Sequence, residues 1–371
     1  MRRLLLSGTL VIGMLADLPV EATILFASGE DTGFTSSTAG NSGTSGTTYR
    51  TGYARGNIQI QNGTTVADPP GNRATTPTFT AGSTLWIHGQ FYTNTATTTS
   101  GEQALIIRSP DGVSRLLLRQ TGTTGTLKAS KRNSAGTITD LATASGTYSA
   151  GTITQLDVQV IYGCTSSDQF NVWLNSTSFI AYTGASICTD AATQLNQADY
   201  GSVGNGTASV LCSTGATATV TCWSEMIIAD QDTRGMALWT LNPSAAGNTQ
   251  SWTPNTLANV NKAVINDATS IAAAGNNSLS EWTTPTSAPS GSWGVLAIVQ
   301  EARIERGTTG PQNFEWLVRT IDGSDNVTGS VNPTTAFVNY SNIWATNPHT
   351  SASWVIGDIA SGFNLGIESL P

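Results

Sequence analysis

A strand-like segment near residue 85 carries the side chains best suited to contact a ligand. In TLWIHGQFYT, Trp86, His88 and Gln90 occupy alternate positions. Because successive side chains of a β-strand point to opposite faces, these three would share one face. An exposed indole could stack on a sugar ring while the imidazole and amide bind its hydroxyls. Strand aromatics also commonly fill a core or an interface, so the sequence supports two interpretations of Trp86.

Residues for acid–base or nucleophilic catalysis do not form a recognisable set. Glycoside hydrolysis needs two carboxylates about 5 to 9 Å apart. Glu225 and Asp230 would lie on opposite faces of a regular strand, and Asp157 stands alone between apolar neighbours. Neither histidine lies in a GxSxG motif, and no phosphate-binding glycine motif occurs. The sequence therefore predicts a protein that is not an enzyme.

Three aspartates in predicted loops, Asp111, Asp168 and Asp190, are the candidates for a calcium site. Calcium prefers carboxylate and carbonyl oxygens, which such loops supply. Isolated loop aspartates also form turns by accepting hydrogen bonds from nearby backbone amides. No CxxC spacing occurs and the chain has two histidines, so a zinc site is not predicted. No cofactor other than calcium is a candidate.

Four cysteines, Cys164, Cys188, Cys212 and Cys222, are candidates for disulfide bonds. Four cysteines permit three pairings, and the sequence does not choose among them. Buried reduced thiols are an equally good interpretation, because free cysteine is a common core residue.

The composition favours β-structure and excludes one class of partner. Charged residues make up 11% of the 371 residues, whereas glycine, threonine and serine are abundant. Long exposed helices need more Glu, Lys and Arg than this, and sheets joined by many turns do not. The formal net charge of −8 excludes general nucleic-acid binding, which needs basic residues to neutralise phosphates.

Short segments rich in β-branched and aromatic residues predict about ten strands in the first part of the chain. Asp111-Gly112 and Asn175-Ser176 are predicted hairpin turns between four of them. Together the strands predict an antiparallel two-sheet sandwich over residues 23–232, followed by a smaller β-rich domain over residues 233–371.

The second domain has its own predicted elements. WGVLAIVQEARIER and NFEWLVRTID predict an antiparallel hairpin with a longer turn, and residues 354–363 predict a short helix.

Residues 1–22 form a separate hydrophobic segment. Two arginines precede the apolar run LLLSGTLVIGML, and small residues follow at Val20 and Ala22. This pattern fits a secretory signal, an extension at the start site or an ordinary buried segment. No other apolar run has the length of about 20 residues that a membrane-spanning helix needs.

The run from Thr152 to Asp230 resembles the second half of a laminin-G or concanavalin-like jelly roll. It contains ITQLDVQVIY, QFNVWLNSTSFIAYTG and TVTCWSEMIIADQDTRGM. Farther on, SEMIIADQDTRGMALWTLNPSAAGNTQSWTP and NPHTSASW are similar to structural proteins of tailed bacteriophages and prophages. In those proteins a lectin-like jelly roll precedes a smaller β-rich domain.

This resemblance implies a non-catalytic structural component of a bacteriophage particle, associated with the tail or decorating the capsid. Its location would be the virion, and its partners other virion proteins, further copies of itself in a symmetric oligomer, and glycans of the host surface. The first alternative is a secreted or surface carbohydrate-binding protein, which the signal-like segment and the even number of cysteines support. A glycoside hydrolase rests on fold analogy alone.

Overall fold

The computed structural model describes most of the chain. The described residues are 4–7, 22–29, 33–37, 40–43, 57–60, 72–93, 103–122, 125–184, 187–190, 192–203, 221–254, 256–260, 267–284, 293–359 and 363–371. The chain divides into two compact units. Ala22–Arg234 form the first, here called the jelly-roll unit, and Gly235–Pro371 with Met1–Glu21 form the second, here called the C-terminal unit.

Almost all regular structure is β-strand, so the predicted all-β class is confirmed. The strands up to residue 234 are β1 (Leu4–Ser7), β2 (Ile24–Ser28), β3 (Ser36–Ser37), β4 (Gly40–Gly43), β5 (Asn57–Ile60), β6 (Ala74–Thr75), β7 (Thr84–Thr93), β8 (Gln103–Arg108), β9 (Ser114–Gln120), β10 (Leu127–Arg132), β11 (Ile138–Thr143), β12 (Thr154–Ile161), β13 (Asp168–Leu174), β14 (Thr177–Gly184), β15 (Gln197–Tyr200) and β16 (Thr221–Ala229). Those that follow are β17 (Ala245–Gln250), β18 (Trp252–Thr253), β19 (Ala272–Ala273), β20 (Leu279–Thr283), β21 (Val295–Ile304), β22 (Asn313–Arg319), β23 (Asp325–Val327), β24 (Val338–Trp344) and β25 (Asn364–Leu370).

The jelly-roll unit consists of two antiparallel sheets around one hydrophobic core, as predicted. The larger sheet has the order β14-β13-β12-β7-β16-β5-β4, and β2 also pairs with β16. The smaller sheet has the order β11-β10-β9-β8-β15-β6-β3. Side chains from both sheets, such as Leu85 and Leu118, meet in the core. Their burial supplies the main driving force for this packing.

Strand β7 shows the expected alternation. Leu85, Ile87 and Phe91 lie in the core, so the residues between them face outward. Gly89 shares the inner face with these residues, where a Cβ would lie 3.0 Å from the Trp223 ring. A larger residue at position 89 would therefore force Trp223 out of its packing.

Both predicted hairpin turns are present. Asn175 and Ser176 have φ values of 48° and 66° between β13 and β14, the left-handed conformation that a tight two-residue hairpin requires. Gly112, with φ of 78°, lies between β8 and β9. The Asn175 side chain also accepts a hydrogen bond from the Gln155 backbone amide at 2.9 Å, which ties the turn to β12.

The C-terminal unit contains three further sheets. Their orders are β17-β20-β25-β22-β23, β1-β21-β24 and β18-β19. The predicted hairpin of β21 with β22 is wrong, because β22 pairs with β25 and β23 on its two edges while β21 pairs with β24 and β1. Strand β1 belongs to the hydrophobic segment 1–22 and runs parallel to β21. The C-terminal unit also contains a short α-helix, α1 (Leu257–Val260). A 3₁₀ helix, Ile356–Ile359, lies inside the predicted helix 354–363.

A buried charge pair links two strands of the C-terminal unit. Glu281 on β20 is fully buried, and Arg319 on β22 donates to its Oε1 from Nε at 2.7 Å. Arg319 Nη2 also donates to Asp325 at 2.8 Å. The other Glu281 oxygen accepts the Thr249 amide at 3.0 Å. This cluster satisfies a carboxylate that would otherwise be very costly to bury.

Within the described residues, no helix is long and apolar enough to cross a membrane.

The edge of the smaller sheet supplies a pH-dependent contact. Burial raises the pKa of Asp140, but hydrogen bonds from Lys128, Ser130 and Arg119 outweigh burial and lower the pKa from 3.8 to about 2. Since the folded-state pKa is depressed, these contacts stabilise the fold above the ordinary pKa, and their contribution is lost as the pH falls towards 2.

We therefore expect the Asp140→Asn variant to lose less stability than the parent protein between about pH 4 and pH 2. Urea unfolding at a series of pH values measures the stability of both proteins. In NMR spectra of the parent protein, the carboxyl carbon of Asp140 should titrate well below the ordinary pKa of an aspartate. A titration midpoint at the ordinary value would contradict the prediction.

Candidate functional site

The three residues predicted to share a face do share the outer face of the larger sheet. Register pairs Trp86 with Gln159, His88 with Asp157 and Gln90 with Gln155. Their exposed fractions are 7%, 0% and 5% for Trp86, His88 and Gln90. Trp86 is therefore not the exposed ring that a sugar-stacking role requires, and of its two interpretations the packing one fits this burial.

His88 and Asp157 form the polar centre of this face. Asp157 Oδ1 accepts hydrogen bonds from His88 Nδ1 at 2.8 Å and from the Thr233 hydroxyl at 2.9 Å. Its Oδ2 accepts a bond from Gln155 Nε2 at 2.7 Å. Although burial raises the pKa of Asp157, the charge and hydrogen bond of His88, with those from Gln155 and Thr233, lower it overall. Asp157 is thus ionised and fixes the proton of His88 on Nδ1.

The second ring nitrogen of His88, Nε2, has a different environment from Nδ1. Nε2 is buried and has no hydrogen-bond partner among the described residues. Asp157 accepts the proton of Nδ1, so Nε2 is the ring nitrogen whose hydrogen-bonding role this pairing leaves unassigned. A base oriented in this way by a carboxylate is the arrangement that general-base catalysis uses. Sequence analysis missed the pairing, although Asp157 alternates with Gln155 and Gln159 in the same strand.

Two tryptophans and an arginine cover part of this face. Trp86 and Trp173 stack with ring centroids 5.3 Å apart and an interplanar angle of 18°. The Arg234 guanidinium lies 4.5 Å from the Trp173 centroid and 5.2 Å from that of Trp86, which is cation–π range. Trp173 keeps part of its surface exposed to solvent. Both tryptophans make these contacts, and Trp86 is the more deeply buried of the two.

Beside Trp173 lies a set of three amides, here called the amide triad: Gln159, Gln169 and Asn171. All three are half-buried. Asn171 Nδ2 donates to Gln159 Oε1 at 3.0 Å and to Gln169 Oε1 at 2.9 Å. Its Oδ1 accepts the Tyr182 amide at 3.1 Å. Both Nδ2 hydrogens of Asn171 are thereby used, and the two glutamine oxygens are held towards Asn171.

A β-bulge interrupts β16 opposite His88 and Gln90. The register shifts between Ser224 and Ile227, and Glu225 takes a φ of 50°. Its carboxylate is buried. The prediction that Glu225 lies in a regular strand is therefore wrong, because the extra residue of a bulge changes the alternation of faces.

The calcium candidates lie in two different settings. Asp111 and Asp190 both bind the buried Arg115, whose Nη1 donates to Asp190 Oδ2 at 2.6 Å and whose Nη2 donates to Asp111 Oδ2. They line a groove of about 480 Å³. Asp168 accepts the backbone amides of Gly163 and Thr165 at 3.1 and 3.0 Å, as a turn-forming aspartate does. The searched, described residues contain no cluster of three or more metal-binding side chains.

The structure gives the bonding state of three of the four cysteines predicted to form disulfides. Cys164 and Cys188 form a disulfide with their Cα atoms 5.1 Å apart, across a sequence separation of 24. Cys222 is also disulfide-bonded. Cys212 lies outside the described residues. The interpretation of these cysteines as buried reduced thiols is wrong for the three that are described.

Comparisons with known proteins give structural likenesses only. No family model matches the chain, and no curated protein matches it. An endo-β-1,4-glucuronan lyase from Trichoderma reesei is similar, with 10% identity and a TM-score of 0.41 over 57% of this chain and 96% of that one. An alginate lyase has 10% identity and a TM-score of 0.28 over 48% and 82%. A carbohydrate-binding module from Bacillus subtilis has 10% identity and a TM-score of 0.28 over 50% and 96%.

These findings correct two expectations from the sequence. The expectation of a structural bacteriophage protein is wrong, since the similar structures named above are polysaccharide lyases and a carbohydrate-binding module. The expectation that the chain is not an enzyme is contradicted by the same lyases.

Proposed function

We propose that the jelly-roll unit binds a polysaccharide along the outer face of β12, β13 and β14. The observation that carries this proposal is the orientation of the amide triad. Because Asn171 holds the oxygens of Gln159 and Gln169 towards itself, the Nε2 groups of both glutamines are left as donors towards solvent. Donors fixed before binding lose little conformational entropy when a ligand arrives.

Trp173 complements these donors. Its partly exposed indole lies on the same outer face, two residues beyond Asn171 on β13. Sugar rings present apolar C–H groups on their faces and hydroxyls around their edges. An aromatic surface beside fixed amide donors matches both features at once.

We further propose that the protein works in an extracellular, oxidising compartment. The Cys164–Cys188 disulfide supports this location, since structural disulfides are rare in reducing compartments. A polysaccharide ligand would be met in the same compartment.

A second candidate function is cleavage of the bound polysaccharide, with His88 as the base after a local opening exposes its buried ring. The bond of Nδ1 to Asp157 favours it, as does Nε2, which has no hydrogen-bond partner among the described residues. Release of new chain ends from polysaccharides, measured for the parent protein and for His88→Gln, tests this candidate. Equal release by both proteins, or none by either, would reject it.

The binding proposal predicts a large loss of affinity in two variants. Trp173→Ala should weaken binding about tenfold or more, as truncation of a central aromatic residue does. Asn171→Ala should also weaken it, because both glutamine amides lose their orientation. Affinity electrophoresis through gels that contain single soluble polysaccharides identifies the ligand, and calorimetry then measures affinity.

The matched control is Thr139→Ala, at an exposed strand position of the other sheet. It should bind like the parent protein. If no polysaccharide retards the parent protein, or if Trp173→Ala and Asn171→Ala bind as tightly as Thr139→Ala, the proposed face is not the binding site.

A further inference from the structure

We propose that this face selects neutral polysaccharides over carboxylated ones, and that Asp232 enforces the selection by occupying the guanidinium of Arg234. This inference rests on the proposed function and names the class of its ligand.

The binding face itself is almost free of charge. Strands β12, β13 and β14 contain two charged residues, Asp157 and Asp168, and no lysine or arginine. Both aspartates are fully buried. The polar groups that reach solvent on this face are therefore amides and hydroxyls, which bind sugar hydroxyls but cannot neutralise a carboxylate.

Arg234 supplies a cation at the edge of this face, directly over Trp173. Its Nε donates to both Asp232 oxygens, at 3.0 and 3.1 Å, and its Nη2 donates to Asp232 Oδ2 at 2.6 Å. The Arg234 backbone amide also donates to Asp232 Oδ1 at 3.0 Å. Asp232 thus occupies Nε and Nη2, an edge through which the guanidinium would otherwise pair with a uronate carboxylate.

Uronates and neutral sugars therefore bind this face with different free-energy costs. A uronate approaching Trp173 would have to displace Asp232 from a paired contact while facing the negative charges of Asp232 and the ionised Asp157. A neutral sugar does not compete with Asp232 for Arg234 and carries no charge to be repelled. Binding of the neutral polymer should therefore depend little on salt.

The test compares the neutral polysaccharide that binds best with the derivative of the same polymer in which primary hydroxyls are oxidised to carboxylates. The parent protein should bind the oxidised polymer at least about tenfold more weakly. In Asp232→Asn, Arg234 keeps its position over Trp173 but is no longer neutralised. The ratio of oxidised to neutral affinity should then rise about fivefold at low salt, and the gain should disappear at high salt.

Glu305→Gln is the matched control, since it removes one negative charge at an exposed position of the C-terminal unit. Its affinity ratio should equal that of the parent protein. Equal binding of both polymers by the parent, or an unchanged ratio in Asp232→Asn, would overturn the inference while leaving polysaccharide binding intact. Absence of binding to any polysaccharide would instead reject the proposed function, and this inference with it.

Discussion

Replacing Arg319 with methionine is expected to lower the free energy of unfolding of the C-terminal unit by about 3–5 kcal/mol. Glu281 is fully buried, and Arg319 is the cation that contacts both of its carboxylate oxygens. Methionine fills a similar volume but leaves the Glu281 charge without compensation. Glu281 would then be protonated, or the strands β20 and β22 would separate locally, and either outcome costs stability.

Hydrogen exchange of the backbone amides of β20 and β22 measures this loss locally, so that unfolding of the jelly-roll unit does not obscure it. The matched control is the double variant Glu281→Gln with Arg319→Met. Its uncharged glutamine can still accept the hydrogen bond from the Thr249 amide, so much of the lost stability should return. If the double variant is as unstable as Arg319→Met, the unpaired charge is not the cause.

Replacing both Cys164 and Cys188 with alanine should lower the stability of the jelly-roll unit by roughly 3 kcal/mol. The disulfide closes a loop whose ends are 24 residues apart, and it joins the end of β12 to the segment that carries Asp190. Without this link the unfolded chain gains conformational freedom. The native protein also loses a restraint on the segment that contacts Arg115.

Hydrogen exchange along β13, which lies within the closed loop, reports the change. A reducing agent should speed exchange there in the parent protein and have a much smaller effect in the double-alanine variant. Equal sensitivity of the two proteins would mean that another bond, such as that of Cys222, accounts for the effect of reduction.

The sequence determined the class of fold and the outline of most strands. Alternation along TLWIHGQFYT correctly separated the core residues of β7 from Trp86, His88 and Gln90. The turn residues at 111–112 and 175–176 correctly located two hairpins. These features are local, since they follow from side-chain periodicity and backbone preference within a few residues.

The partners of those strands were decided by the tertiary structure. Strands β21 and β22 are close in sequence but belong to different sheets, because β25 and β24 compete for them from farther along the chain. Alternation also could not show that Trp86 is covered. It assigns a side chain to a face, whereas burial depends on Trp173 and Arg234, which are remote in sequence.

The residues of the candidate site were likewise predicted in part from the sequence and brought together by the tertiary structure. From the sequence, Trp86, His88 and Gln90 of β7 were predicted to share one face and to contact a ligand, whereas no sugar-binding site was predicted on β12 or β13. Only the pairing of β12 with β13 brings Asn171 between Gln159 and Gln169, and only the pairing of β12 with β7 brings Asp157 to His88. A shift of one residue in either pairing would turn these side chains to the opposite face, so register, which long-range packing selects, decides the chemistry of this surface.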